Sequence, residues 1–324
     1  MFQDLKYNDF QKRCNQPLIQ EWGLIIRRAR ADAFTLIELL VVIAIIAILA
    51  SILLPVLAAA QARALQAQCI NNTKELQTGW ELYAGDSQDY MVPNSPYGYA
   101  DNQSWCPNAG PWNTQTKMDW SNVYGNTNLA AFTNTILAPY MSGQLGVYRC
   151  PADVWPSKNG TRVRDYSMQG QVGNLYCWST TLNNNPNGIP YIKLTQLRSA
   201  PGPAETIVFL EEHPNSLLGN QVFDGYLEVH STDGTCPDVP GSNHKGWLCG
   251  MSFADGHSEM HKWIKPGNGN PTAGTINTLQ IPVVPNGNTI SSASAPVTPG
   301  TISPDWFYFT SHCSAVNPTP GKLP

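Results

Sequence analysis

Phe34-Thr35-Leu36-Ile37-Glu38-Leu39-Leu40-Val41-Val42-Ile43-Ala44-Ile45-Ile46-Ala47-Ile48-Leu49-Ala50-Ser51-Ile52-Leu53-Leu54-Pro55-Val56-Leu57 carries one charge, Glu38, in an otherwise apolar run. About 20 apolar residues cross a bilayer as a helix, so a transmembrane segment is expected over 36–57. Arg27, Arg28 and Arg30 precede it and nearly all of the polar chain follows. Basic flanks stay on the cytoplasmic side, which sends everything after Leu57 outward. A secretory signal has a shorter apolar core and a small-residue cleavage site beyond it. Here the run is longer, holds an acid near its start, and has Ala33 in front.

Ala33-Phe34-Thr35-Leu36-Ile37-Glu38, behind a basic leader and ahead of a long apolar helix, resembles the N-terminal region of type IV pilins and type II secretion pseudopilins. The match runs over about residues 27–85, with Ala33 in place of the commoner glycine. The resemblance implies cleavage between Ala33 and Phe34 by a prepilin peptidase, N-methylation of the new Phe34 amine, and a leader of residues 1–33 that includes Cys14. It also implies that Glu38, costly in hydrocarbon, pairs with the terminal ammonium of a neighbouring subunit. Pro55 removes a backbone N–H and crowds the Ser51 carbonyl, so a kink or local unwinding is expected there. Many pilins carry a proline at the matching place.

The helix is expected to continue past Leu57. Ala58 to Gln68 are strong helix formers, and Ala64, Leu65, Ala67, Ile70, Leu76, Trp80 and Tyr83 keep helical spacing. Gly79 weakens the run, and Gly85 or Asp86 ends it. At 1.5 Å per residue the pilin helix 34–85 is a rod of about 75 Å. In the resembling family, polar residues such as those of Asn71-Asn72-Thr73 and Leu76-Gln77 face the head.

Residues 86–324 form the expected head. Charged residues are 13% of the chain and the net charge is −4, which excludes a nucleic-acid footprint. Asn, Gly, Pro, Ser, Thr, Trp and Tyr suit a loop-rich β domain. Thr206 to Glu212 and Tyr226 to Val229 read as strands. Cys249 to Ala254, Asp255-Gly256 and His257 to Trp263 read as a hairpin with a type I′ turn. Trp306 to Phe309 reads as a returning strand, Asn128 to Tyr140 as a short helix ending at Pro139, and 266–304 as a loop. Trp105, Trp112, Trp120, Tyr90, Tyr97, Tyr99 and Tyr124 either fill a small core or form an aromatic surface for glycans; the first reading is preferred.

Cys150-Pro151-Ala152-Asp153, Tyr166-Ser167-Met168 and Phe253-Ala254-Asp255-Gly256-His257 are similar to segments of a large-headed prepilin branch. In that branch a histidine precedes Asp-Gly by nine residues. His244 precedes Asp255 by ten; either a β-bulge absorbs the difference or His244 is not the matching histidine.

An oxidising compartment favours disulfides among Cys106, Cys150, Cys177, Cys236, Cys249 and Cys313, with pairing open among 15 arrangements. Cys69 lies on the helix. His257, Glu259 and His261 share a strand face and are weak metal candidates. Asp224, Glu228, Asp233 and Asp238 crowd one stretch with oxygen ligands suited to Ca²⁺, though without EF-hand spacing, and some pseudopilins hold calcium in this region. No other cofactor is expected. No Gly-x-Ser-x-Gly elbow or phosphate loop argues for an enzyme.

The expected fold class is α+β: a long N-terminal helix carrying an antiparallel β head, lollipop-like. The expected function is structural, a pilus or pseudopilus subunit. It would be anchored in the bacterial inner membrane by a single pass with its head outside, and assembled as a homo-oligomer in a helical periplasmic or extracellular filament. Expected partners are other pseudopilins, the prepilin peptidase, the assembly platform and the membrane. The alternatives are a minor capping pseudopilin and a membrane-anchored glycan-binding protein using the same export route.

Overall fold

The computed structural model describes residues 34–94, 104–107, 127–155, 160–173, 191–198, 201–214, 225–227, 235–236, 238–264, 293–294 and 304–313. Ala33, Cys14 and the leader lie outside them, as do Cys177, Asp224, Glu228, Asp233, Trp112, Trp120, Tyr97, Tyr99 and Tyr124. The chain divides into two compact units, Met1–Pro55 and Val56–Pro324. Helix α1 spans Leu36–Asp86 and includes Pro55.

In the first unit the apolar side chains of α1 lie open on every side. Leu36, Ile37, Ile46, Ile48, Ile52, Leu53 and Leu54 are all more than half exposed. A helix that is apolar all round belongs in lipid or in a protein core.

In the second unit α1 changes character. Cys69, Asn72, Thr73, Leu76, Gln77, Trp80 and Ala84 recur at three- and four-residue intervals and are all buried, so they form one stripe along the helix. Gly79 belongs to that stripe for a packing reason: a Cβ there would stand 2.7 Å from Met141 Sδ. Of the polar residues that the resemblance placed toward the head, Asn72, Thr73 and Gln77 are buried and Asn71 is exposed. Asn72 Nδ2 donates to Arg149 O at 2.9 Å, and Ser252 Oγ donates to Gln77 Oε1 at 3.1 Å.

The stripe packs on a five-stranded sheet of order β3-β1-β2-β5-β6. The strands are β1 (Tyr166–Gln169), β2 (Ile207–Glu211), β3 (Tyr226–Leu227), β5 (Leu248–Phe253) and β6 (Ser258–Lys262). Short strands β4 (Thr235–Cys236) and β7 (Ala293–Ser294) pair separately, the latter inside the expected 266–304 loop. The fold class is α+β, but the sheet is mixed. β1 runs antiparallel to β2 and parallel to β3, because a long excursion, not a tight turn, returns the chain to β3.

Alternation along β5 sends Gly250 and Ser252 toward α1, and Cys249, Met251 and Phe253 to the opposite face. On that face Ile207, Leu210, Leu227, Val239 and Trp263 meet Trp306, Phe309 and Cys313. The last three residues belong to α2, Pro304–Cys313, which corrects the expected strand over Trp306–Phe309. Proline at the first helical position and Asp305 in the first turn are N-terminal helix signals. Positions 306, 309 and 313 then follow helical spacing. The helix expected over Asn128–Tyr140 is instead a pair of 3₁₀ turns, Leu129–Asn134 and Ala138–Met141, with Pro139 near the start of the second. Proline tolerates a first turn and resists an interior.

Candidate functional site

The N-terminal signal is described from Phe34 onward. Thr35 caps α1: its Oγ1 accepts from Glu38 N at 3.2 Å, while its own N donates to Glu38 Oε2 at 2.9 Å. Thr35 Oγ1 also donates to Glu38 Oε2 at 2.9 Å. This reciprocal arrangement is a capping box. Glu38 sits in the first helical turn, where its own cap neighbours reach it.

Two of the head segments singled out in the sequence, those of Cys150 and Tyr166, converge with His244 on a second place. Cys150 Sγ lies 3.1 Å from His244 Nε2, and the same Nε2 lies 2.9 Å from Glu211 Oε1. Cys69 Sγ donates to that same Oε1 at 2.6 Å and lies 3.0 Å from Tyr166 Oη. The ligand atoms of Cys69, Cys150, Glu211 and His244 all fall within 4.8 Å of one another, and all four residues are buried. Each comes from a different element. Cys69 is on the α1 stripe, Cys150 follows a 3₁₀ turn over Leu145–Tyr148, Glu211 ends β2, and His244 opens the turn into β5.

Neighbouring backbone fixes Cys150. Its N–H donates to the buried Asp165 Oδ1 at 2.6 Å, and Ala152 N–H donates to its sulfur at 3.4 Å. Asp153 of the same box is buried and salt-bridged to Arg162, so this part of the motif is a brace. Burial pushes the Cys69 thiol up to about 12 and raises the Cys150 thiol further, because a thiolate has little solvation there. Burial lowers His244, but its hydrogen bonds to Cys150 and Glu211, together with their charges, outweigh that and lift it to about 10. Burial also raises Asp165.

Asp255 and Gly256 form the β5–β6 turn. The hairpin is as expected, but the turn is not type I′. Phe253 N donates to His257 O and Gly256 N to Phe253 O, with only Gly256 at positive φ, +93°. This is a three-residue loop closing on a glycine bulge. A Cβ at Gly256 would also meet Glu81 Oε1 at 2.8 Å. Among the described residues no hydrogen bond or ion pair joins His244 to Asp255. β5 is regular against β6. The bulge lies in β2, between Ile207 and Leu210, not between His244 and Asp255.

Of the six cysteines expected in disulfides, Cys150, Cys249 and Cys313 form none. Cys150, Cys249 and Cys313 hold free, buried thiols, as does Cys69, and Cys106 is buried. Cys150 faces the cluster, while Cys249 on β5 and Cys313 on α2 act as small apolar residues in the core between them. Cys236 lies on β4 and its side chain is outside the described part.

His257, Glu259 and His261 do not assemble around one point. His257 stacks on Phe253, Glu259 accepts from Tyr308 Oη at 2.9 Å, and His261 stacks on Tyr308. Of the calcium candidates only Asp238 is described, at a partly buried bend. Trp105 is fully buried beside Tyr148 and Phe209, so this ring is core.

Glu211 and Cys69 were missed as site residues. An acid closing the apolar run Ile207-Val208-Phe209-Leu210 and a thiol on the buried helix stripe were the available signals.

Residues 28–54 match the family model for the prokaryotic N-terminal methylation motif. The chain thus carries a prepilin-type signal, and α1, whose first part lies within it, is long and apolar enough to cross a membrane. Together they support membrane anchoring through α1. No curated protein and no solved structure matches the chain.

Proposed function

We propose that the chain is a structural subunit of a type II secretion pseudopilus or type IV pilus-like filament. Prepilin peptidase cuts after Ala33, Phe34 is N-methylated, and the helix over 36–57 holds the subunit in the bacterial inner membrane before packing it among sister helices. The head, on the far side of the membrane, meets the filament's partners. One observation carries the reading: within the methylation motif and just beyond it, side chains from Leu36 to Leu57 present bare apolar surface all round a capped helix. Such surface is stable only in lipid or against copies of itself.

Glu38 supports assembly as well as capping. After cleavage the Phe34 ammonium of a neighbour can replace the cap contacts with a charge pair, worth more in a dry interface than in water. The intact mass and first residue of protein taken from membranes test the processing; an uncleaved chain retaining Arg27 to Arg30 defeats the proposal. Glu38→Ala should leave insertion intact and abolish filaments. Thr35→Ala, which costs only a cap of about 0.5–2 kcal/mol, should leave filaments in reduced number. Equal filament yield from Glu38→Ala and the parent chain would refute the pairing.

The length of the head, residues 86–324, favours a second reading as a minor subunit that caps or primes a filament. A copy number far below that of the major subunit supports it.

A further inference from the structure

We propose that Cys69, Cys150, His244 and Glu211 form a structural metal site for a tetrahedral, borderline-soft divalent cation of the Zn²⁺ class, which clamps α1 to the sheet. Zn²⁺ takes thiolate sulfur at about 2.3 Å and imidazole nitrogen or carboxylate oxygen at about 2.0–2.2 Å. A tetrahedron with such arms has edges of roughly 3.3–3.8 Å. Here the contacts are 2.6, 2.9 and 3.1 Å, with every ligand atom within 4.8 Å of the others. Movements of less than 1 Å in four side chains open the centre.

Hydrogen bonding alone satisfies this cluster poorly. One imidazole nitrogen, His244 Nε2, faces both a sulfur and a carboxylate oxygen, and it has at most one proton to give. The other oxygen of Glu211, Oε2, is buried and has no hydrogen-bond partner among the described residues. A buried carboxylate left half-satisfied is costly. A cation at the centre answers both defects.

Gly250 adds an independent observation. It lies inside β5, where glycine weakens a strand. A Cβ there would stand 2.5 Å from Cys69 Sγ and 3.1 Å from Glu211 Oε1. The strand is bare where the ligands gather. Around them Tyr166 Oη and Ala152 N–H contact the two sulfurs, as the partners of ligating thiolates do. Two sulfurs, one imidazole and one carboxylate select against Ca²⁺ and Mg²⁺, which take oxygen.

The test uses the full chain in detergent, purified with and without chelator, and Zn²⁺ and Co²⁺ alone as probes. Expected are one Zn²⁺ per chain, a fall in Tm on chelation that Zn²⁺ reverses, and a tetrahedral Co²⁺ spectrum with thiolate-to-metal charge transfer. Cys150→Ser and His244→Ala should weaken Zn²⁺ binding at least 100-fold, while Cys249→Ser, a buried thiol outside the cluster, should not. Near-UV circular dichroism checks that each variant folds. Should the ligand variants fail to fold, the parent Co²⁺ spectrum decides, and bands without sulfur character overturn the site. A Cys69–Cys150 disulfide in the isolated protein, seen by mass before and after reduction, also overturns it, as does a Tm indifferent to both chelator and Zn²⁺.

Discussion

Gly250→Ala is the sharpest probe of the join between helix and sheet. The new methyl has no open space: it meets Cys69 Sγ at 2.5 Å and Glu211 Oε1 at 3.1 Å, with Met260 Sδ at 3.6 Å behind. Cys69 is fixed on a helix turn and Glu211 on a central strand, so neither swings aside freely. Overpacking of this kind costs about 1–3 kcal/mol. With urea slopes of about 1–3 kcal/mol per molar, a loss of about 2 kcal/mol lowers the midpoint by about 1 M. The assay is urea unfolding of the full chain in detergent, followed by tryptophan fluorescence. Trp80, Trp105, Trp263 and Trp306 are fully buried and report loss of both cores. Chelator in every sample keeps metal out of the comparison. Adding Cys69→Ala removes the sulfur that the methyl strikes, so the double variant should lose at least 0.5 kcal/mol less than the sum of the singles, as contacting sites do. An unchanged midpoint for Gly250→Ala, or strict additivity with Cys69→Ala, refutes this account of the strand glycine.

Two further outcomes follow from the same geometry. Gly85→Ala, whose Cβ meets nothing within 4 Å near the end of α1, should raise stability by about 0.4–1 kcal/mol, read as a higher urea midpoint. Burial lowers the pKa of His261, outweighing the nearby Glu259 and Asp305 carboxylates. The folded head therefore refuses a proton that the unfolded chain accepts near pH 6.5, so stability is full above that pH and falls as pH drops toward the depressed folded value. His261→Phe, which keeps a ring against Tyr308, should flatten that acid slope in midpoints measured at pH 7.5 and 5.5.

Local patterns carried a good part of this fold. The long helix, its C-terminal end at Asp86, β2 and the β5–β6 hairpin were legible because period and turn chemistry act within a few residues. Helix α2 was misread because four consecutive large side chains, Trp306 to Phe309, look like a strand, although Pro304 and Asp305 carried the contrary signal. The parallel β1–β3 pairing left no local trace. The buried cluster was only partly legible. The segments around Cys150, Tyr166 and His244 stood out by resemblance, but Cys69 and Glu211 reach them across separations of 97 and 33 residues, distances that only tertiary packing spans. The Asp-Gly turn was found, yet its class was set by the bulge at Gly256.

Helix α2 behaves as a stopper on the rear of the sheet. Its Trp306, Phe309 and Cys313 cover the greasy side of β2 and β5. Translation that ends before Pro304 would leave that side naked, and the truncated product should clump and be degraded. Fusions intended to follow this subunit in cells belong beyond Cys313, where they leave the stopper in place.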